Sequence, residues 1–375
     1  MYLNWVEISK AALAHNAQVF RKQLGSNVIF AAAVKGNAYG HGMIECVKVF
    51  LENGADFLCV NALFEAQKLR KAGIQAPILI IGYVPLADLH TAVALGFHLV
   101  VYNSETIEYL ARLKQVSKIH LKIETGNHRQ GIELNDLQKM LTLIKKYPQV
   151  QIVGASTHFA NIEDRLNHDY ALEQLRLFGQ ALEMIEKSGI ELSYKHCANS
   201  AATLIFPESH FNFARPGVGL YGFWPSEKTR LSAERQGLNI ELKPALTWKT
   251  RIIQIKDVKK GALISYGCTY EMPHKGRIAV LPTGYYDGYP RLLGNKARVL
   301  INGQYAPVVG RICMNMFMVD VTDIDGVKLE QEVVLLGKQG KNQVSAEELA
   351  DWSQTINYEV TTRINERIPR IFIND

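Results

Sequence analysis

Lys35 closes the apolar run Val28–Val34 and opens a turn, Gly36 to Gly42, that holds Tyr39, His41 and three glycines. A lysine ending a buried strand has little water around it. Its ammonium form is penalised, and the free amine becomes available to condense with a carbonyl. Further reactive residue types follow in short motifs: Lys122-Ile-Glu-Thr-Gly-Asn-His-Arg129, Thr157-His158-Phe159-Ala160, Cys197-Ala198-Asn199-Ser200-Ala201-Ala202 and Arg215-Pro216-Gly217-Val218. A phosphate needs hydroxyl donors and approachable peptide N–H groups. Ser200 at the start of a helix-compatible segment, and Gly217 with Val218, supply them. Taken alone, Ser200 reads as a helix N-cap and Gly217 as a turn glycine. The C-terminal part adds Ser265-Tyr266-Gly267, Gly284-Tyr285-Tyr286-Asp287-Gly288, Gly310-Arg311-Ile312-Cys313-Met314 and Asn357-Tyr358-Glu359-Val360.

Each string is weak by itself, but the ordered set resembles the pyridoxal-phosphate-dependent, fold-type III alanine racemase family nearly end to end. The resemblance implies an isomerase that interconverts L- and D-alanine by a two-base mechanism, removing a proton from one face of a planar carbanion and returning it on the other. Lys35 would serve one face and Tyr266 the opposite one. Because a phenol has a reference pKa of about 10, it needs a positive or hydrogen-bonding neighbour, and His158 and Arg215 are the natural ones. The resemblance also implies pyridoxal 5'-phosphate binding by Lys35, Tyr39, His158, Asn199, Ser200, Arg215, Gly217, Val218 and Tyr358. Arg215 would face the cofactor's ring nitrogen, where a permanent charge disfavours protonation. Arg129, Tyr285 and Met314 would contact substrate, and Lys122 would be the lysine that is carbamylated to orient Arg129.

Tyr266, Tyr285 and Met314 lie far along the chain from Lys35, and the resemblance implies a homodimer whose subunits complete each other's sites. D-Alanine for peptidoglycan is the implied product. Glu124, Asn127, Gln130 and Asn315 depart from the family pattern, which leaves substrate breadth open toward serine or larger amino acids. A related pyridoxal-phosphate decarboxylase is a rival reading, one that needs no tyrosine base. A single-barrel cofactor carrier would not need the long stretch after Gln236.

The elements that must position these groups are legible in the pattern. From about Asn27 to Pro216, apolar runs alternate with amphipathic stretches: Val28–Val34, Phe57–Val60, Ile78–Ile81, Phe97–Val101, Ile119–Ile123, Val150–Ala155, Leu192–His196 and Phe211–Ala214. That rhythm predicts a (β/α)8 barrel over residues 1–235, with the motif residues at the strands' carboxyl ends. Helical periodicity in the connections predicts core faces through Leu137, Met140, Leu141 and Ile144, and through Leu172, Leu175, Phe178, Leu182 and Ile185. No dinucleotide glycine fingerprint follows the first strand, which disfavours an open doubly wound sheet. Beyond Gln236, runs such as Ala245–Lys256, Arg277–Pro282, Ala297–Ile301 and Glu332–Leu336, punctuated by Asn302-Gly303 and Asp325-Gly326, predict a mainly β domain over 236–375. The first ten or so residues are free to pair with it. Trp224 to Asn239 is charged, lacks an apolar period, and reads as the connection.

A net charge of +6 is dispersed among acidic residues with no basic run, which disfavours a nucleic-acid surface. Five cysteines form no Cys-x-x-Cys pair, so no metal is expected, and a reducing compartment is the default. No apolar run reaches the ~20 residues that cross a bilayer, and the N-terminal segment carries Glu7. The expectation is a cytoplasmic protein without a membrane partner.

Overall fold

The computed structural model describes residues 1–375, which divide into two units: Ala12–Ala38 with Met43–Lys243, and Met1–Ala11 with Tyr39–Gly42 and Pro244–Asp375. In chain order the strands of the first half are β1 (Asn4–Ser9), β2 (Ile29–Ala33), β3 (Phe57–Val60), β4 (Ile78–Ile80), β5 (His98–Val101), β6 (Ser117–Lys122), β7 (Val150–Ser156), β8 (Tyr194–His196) and β9 (Phe213–Ala214). Strands β2 to β9 form one parallel sheet in the order β8-β7-β6-β5-β4-β3-β2-β9. It is a nearly closed barrel. Where β8 meets β9 the seam is stitched by the Lys195 N–H donating to Asn212 Oδ1 (2.8 Å) and the Arg215 N–H donating to the Ala198 carbonyl (2.9 Å).

The strands form because their apolar residues are buried on both faces, as along all of β3 and β4. The helices between them bury one stripe and leave the other wet. Helix Leu134–Ile144 buries Leu137, Leu141 and Ile144, while Met140 is only half-buried. In helix Asp169–Lys187 the expected face is displaced: the buried stripe is Ala171, Gln174, Phe178, Ala181 and Ile185, and Leu172 is 49% exposed. The stripe turns so that the Gln174 amide can reach the strand-end loops described below. The charged segment after Trp224 is not a plain connection. It holds helix Glu227–Arg235, capped by the Ser226 hydroxyl and braced by Arg230 between Glu227 and Glu234. Pairs at i,i+3 and i,i+4 supply the support that an apolar stripe does not.

The other unit is a ten-stranded, largely antiparallel sheet. Its strands are β1 with β10 (Leu246–Arg251), β11 (Gln254–Val258), β14 (Gly276–Leu281), β15 (Arg298–Ile301), β16 (Gln304–Val309), β17 (Phe317–Asp320), β18 (Glu332–Gln339), β19 (Asn342–Val344) and β20 (Arg370–Ile373). A separate hairpin pairs β12 (Leu263–Ile264) with β13 (Tyr270–Glu271). β1 lies between β10, to which it is antiparallel, and β20, to which it is parallel. The run Ala245–Lys256 breaks at Ile252–Ile253, where the chain changes partners from β18 to β14. Asn302 and Gly303 both have positive φ (54° and 73°), the turn geometry that β15 and β16 require to pair directly. Trp248, Tyr289 and Phe317 fill the core of this unit, with Tyr289 stacked on Phe317 at 4.7 Å. All five cysteines are free, and no helix is long and apolar enough to cross a membrane.

Candidate active site

Because β2 to β9 are parallel, their carboxyl ends share one rim of the barrel. Lys35 follows β2, Lys122 ends β6 with Arg129 in the succeeding loop, His158 follows β7, Asn199 and Ser200 follow β8, and Arg215 follows β9. Lys35 is half-buried. Desolvation, and then the positive charge of Arg129, push its pKa below the usual lysine value against the opposing pull of Glu65. The neutral amine is thereby favoured. Buried Glu65 accepts hydrogen bonds from the Gly36 N–H (2.7 Å) and the Asn61 N–H (2.8 Å), which fixes the turn just past Lys35. That turn is left-handed: Gly36, Asn37, Ala38 and Tyr39 all have φ between 51° and 62°. Three consecutive non-glycine residues in this region store strain, a feature that accumulates at functional sites.

Burial, followed by the charges of Lys122, Arg215, Arg129 and Lys35, holds the His158 imidazole well below its ordinary pKa and therefore neutral. Lys122 is likewise pushed well below the usual lysine range by burial, Arg215 and Arg129. Arg215 donates to His196 Nδ1 and to the Thr157 carbonyl (2.9 Å). The Arg129 loop is organised by Glu124, whose carboxylate accepts from the N–H groups of Gly126 (2.6 Å), Asn127 (2.7 Å) and Arg129 (3.3 Å). Burial would raise the pKa of Glu124, but those peptide donors outweigh it and keep the group ionised. Gln174, fully buried, donates to Thr125 Oγ1 (3.3 Å) and the His158 carbonyl (3.2 Å) and accepts from the Ala160 N–H (2.9 Å), tying the Arg129 loop to the His158 loop.

Asn199, and not Ser200, caps helix Ser200–Ile205, its Oδ1 accepting from the Ala202 N–H at 3.0 Å. The Ser200 hydroxyl is left to accept from the N–H groups of Gly217 (2.7 Å) and Gly219 (3.2 Å). A hydroxyl and two peptide donors therefore meet at one point beside Val218, the kind of concavity that binds an anion. An amine, this donor cluster and a buried guanidinium on one rim fit a phosphorylated aldehyde of the pyridoxal type.

Within the β unit, Tyr39 packs against Tyr358 with ring centroids 6.2 Å apart. Tyr266 stands 73% exposed on the turn after β12, between Ser265 (φ 66°) and Gly267 (φ 75°). Ser265 Oγ donates to the Arg311 carbonyl (2.7 Å), which brings this turn beside the 310–314 segment. The same segment holds the next loop: the N–H groups of Tyr285 and Tyr286 donate to the carbonyls of Cys313 (3.1 Å) and Met314 (3.0 Å). Tyr266, Tyr285 and Met314 are thus gathered in one region, and all three are exposed. A Cβ at Gly284 would sit 2.3 Å from the carbonyl oxygens of both Cys313 and Met314. Gly284→Ala should therefore separate the loops and lower stability by ~1–3 kcal/mol, read as a reduced thermal midpoint.

Sequence reasoning nominated none of Glu65, Gln174, His196 or Gly219. A polar residue inside an otherwise apolar strand or helix stripe was the available signal for the first three, and Gly219 carried none.

The whole chain can be compared with known proteins. Residues 8–225 match the family profile "Alanine racemase, N-terminal domain" and residues 245–372 match "Alanine racemase, C-terminal domain". An alanine racemase of Desulforamulus reducens is 40% identical over 374 residues, covering 98% of each chain. The crystal structure of the Bacillus anthracis alanine racemase, solved with bound L-Ala-P, superposes with a TM-score of 0.92 at 37% identity, covering all of this chain and 96% of the other. One from Streptomyces lavendulae gives 0.92 at 31% identity over all of this chain and 98% of its own. With both profiles matched, relatives aligned from end to end, and a rim that fits the cofactor, this chain belongs to the alanine racemase family.

Proposed function

We propose that the chain interconverts L- and D-alanine, using pyridoxal 5'-phosphate held at the barrel rim. The observation that carries this reading is Lys35: a half-buried lysine at a strand end, its proton loosened by burial and by Arg129. When bound, pyridoxal phosphate supplies a conjugated ring that takes up the electron pair left on Cα after proton removal. Lys35 Nζ holds the cofactor and takes or returns the Cα proton on one face. Ser200 and the N–H groups of Gly217 and Gly219 hold the phosphate, with Asn199 fixing the helix start and Val218 between the two donors. Arg215 faces the ring nitrogen, its orientation set by Thr157 and His196. Arg129 orients the substrate carboxylate, aided by Met314 and Tyr285. His158, held neutral by burial and with Arg215 and Arg129 near it, is suited to accept a hydrogen bond from the second acid/base group. The low proton affinity of Lys122 suits the uncharged amine that adds carbon dioxide, and a carbamate there would attract Arg129.

Tyr266 supplies that second group, in trans within a homodimer. Its exposure, together with that of Tyr285 and Met314, supports a surface made to be covered. Such a dimer, without a membrane-spanning helix and with free thiols, suits a cytoplasmic enzyme supplying D-alanine to peptidoglycan. The full-length likeness to alanine racemases favours alanine over serine or a larger amino acid, and racemisation over decarboxylation.

A panel of L-amino acids in deuterium oxide tests reaction and substrate together. Alanine should acquire deuterium at Cα and yield its D-enantiomer faster than serine or larger residues. No D-product from any of them would defeat the reading, and a fully active monomer in sedimentation would defeat the trans contribution of Tyr266.

A further inference from the structure

Barrel interiors are normally packed with layers of aliphatic side chains. This one contains a column of three histidines instead. His98 on β5, His120 on β6 and His196 on β8 are all buried. His98 Nδ1 lies 3.0 Å from His120 Nε2, His120 Nδ1 lies 2.7 Å from His196 Nε2, and His196 Nδ1 meets a guanidinium nitrogen of Arg215. Aromatic rings enclose the column: Tyr194 stacks on His120 at 5.3 Å, Phe213 packs on His196 at 4.7 Å, and Phe57 on His98 at 5.1 Å.

The hydrogen-bond chemistry of this column admits one arrangement of neutral rings. A guanidinium donates and cannot accept. His196 Nδ1 must then be an acceptor, which places its proton on Nε2. That proton is donated to His120 Nδ1, which places the proton of His120 on Nε2, and that in turn is donated to His98 Nδ1. The polarity set at Arg215 passes through three rings. Burial first, and neighbouring positive charge second, hold His120 and His196 well below the ordinary histidine pKa, and burial with Lys118 lowers His98 to about 4. The rings are uncharged near neutral pH, as the arrangement requires.

We propose that His98 and His120 are positioning residues for the racemase reaction: they lock the His196 tautomer and so present Arg215 with a fixed lone pair that aims its guanidinium. This rests on the reading of Arg215 as the group facing the cofactor's ring nitrogen. Without the column, His196 is free to exchange tautomers and to offer Arg215 an N–H in place of an acceptor.

The test uses the cofactor-loaded enzyme with 15N-labelled histidine, together with His120→Leu and His120→Asn. The expected spectrum shows three neutral imidazoles, each protonated on Nε2. His120→Leu, once shown to be folded and cofactor-replete, should lose about tenfold in kcat with little change in KM. His120→Asn should recover most of the loss, because its side-chain oxygen replaces the Nδ1 acceptor toward His196. A His196 that is cationic or protonated on Nδ1 overturns the proposal, and that measurement needs no variant to fold. Unchanged kcat in His120→Leu, or equal impairment in the two variants, overturns it as well. Arg215→Lys with unchanged kcat would overturn the role of Arg215 and the proposal with it, whereas a fully active His120→Leu overturns the proposal alone.

Discussion

Lys35→Ala abolishes racemisation and leaves the protein unable to retain pyridoxal phosphate covalently. The side chain has two duties that no neighbour can assume. Covalent attachment needs an uncharged primary amine at the barrel rim, and proton transfer needs a base within reach of one face of Cα. Lys122, the other rim lysine, ends β6, which stands four strands from β2 in the sheet, and has the charges of Arg215 and Arg129 beside it. General acid/base catalysis alone is worth ~10²–10⁴-fold, and the nucleophilic role adds to it, so the loss should exceed ~10⁴-fold. Borohydride reduction followed by mass measurement checks the covalent part: the parent protein gains the mass of reduced cofactor and the variant does not. The pH dependence carries a sign as well. Burial and Arg129 lower the proton affinity of Lys35, so its attachment to added cofactor should reach full rate at a pH below that needed by a free lysine side chain. A variant that keeps more than ~1% of the parent activity would remove Lys35 from both roles.

How the site is assembled is partly legible in the sequence. Short apolar runs with no alternation, set between amphipathic stretches, read as strands covered on both faces, and strand ends in a parallel barrel are where side chains meet; Lys35, His158 and Arg215, singled out by the family resemblance, fall at such ends. The misplaced features have separate physical causes. Gln174 lies in the buried stripe because Thr125 and the backbone around His158 satisfy its amide, so a hydropathy reading put the core face one residue away, on Leu172. Helix Glu227–Arg235 has no apolar period because ion pairs and the Ser226 cap stabilise it. Ala245–Lys256 reads as one strand, yet only the change of partner at Ile252–Ile253 divides it. The left-handed turn from Gly36 to Tyr39 had no signal beyond glycine and asparagine, and Ala38 and Tyr39 adopt it only because the surrounding structure imposes it.

Tyr266→Phe separates the two proton transfers that racemisation joins. The substitution removes one hydroxyl from an exposed ring, so folding and cofactor attachment should persist. The equilibrium constant between enantiomers is unity, and therefore kcat/KM must fall equally in the L-to-D and D-to-L directions. A loss of ~10²–10⁴-fold is expected for one missing acid/base group. The asymmetry appears elsewhere, in solvent exchange. For the enantiomer whose Cα hydrogen faces Lys35, that residue can remove the proton and return a deuteron on the same face, giving labelled amino acid of unchanged configuration. For the mirror-image substrate the first abstraction needs the missing hydroxyl, and exchange should fall along with racemisation. NMR of each enantiomer incubated in deuterium oxide distinguishes the two cases. Mild loss in both, with exchange still coupled to inversion, would mean that the second face is served by another residue, and the assignment of Tyr266 would have to be withdrawn while that of Lys35 stood.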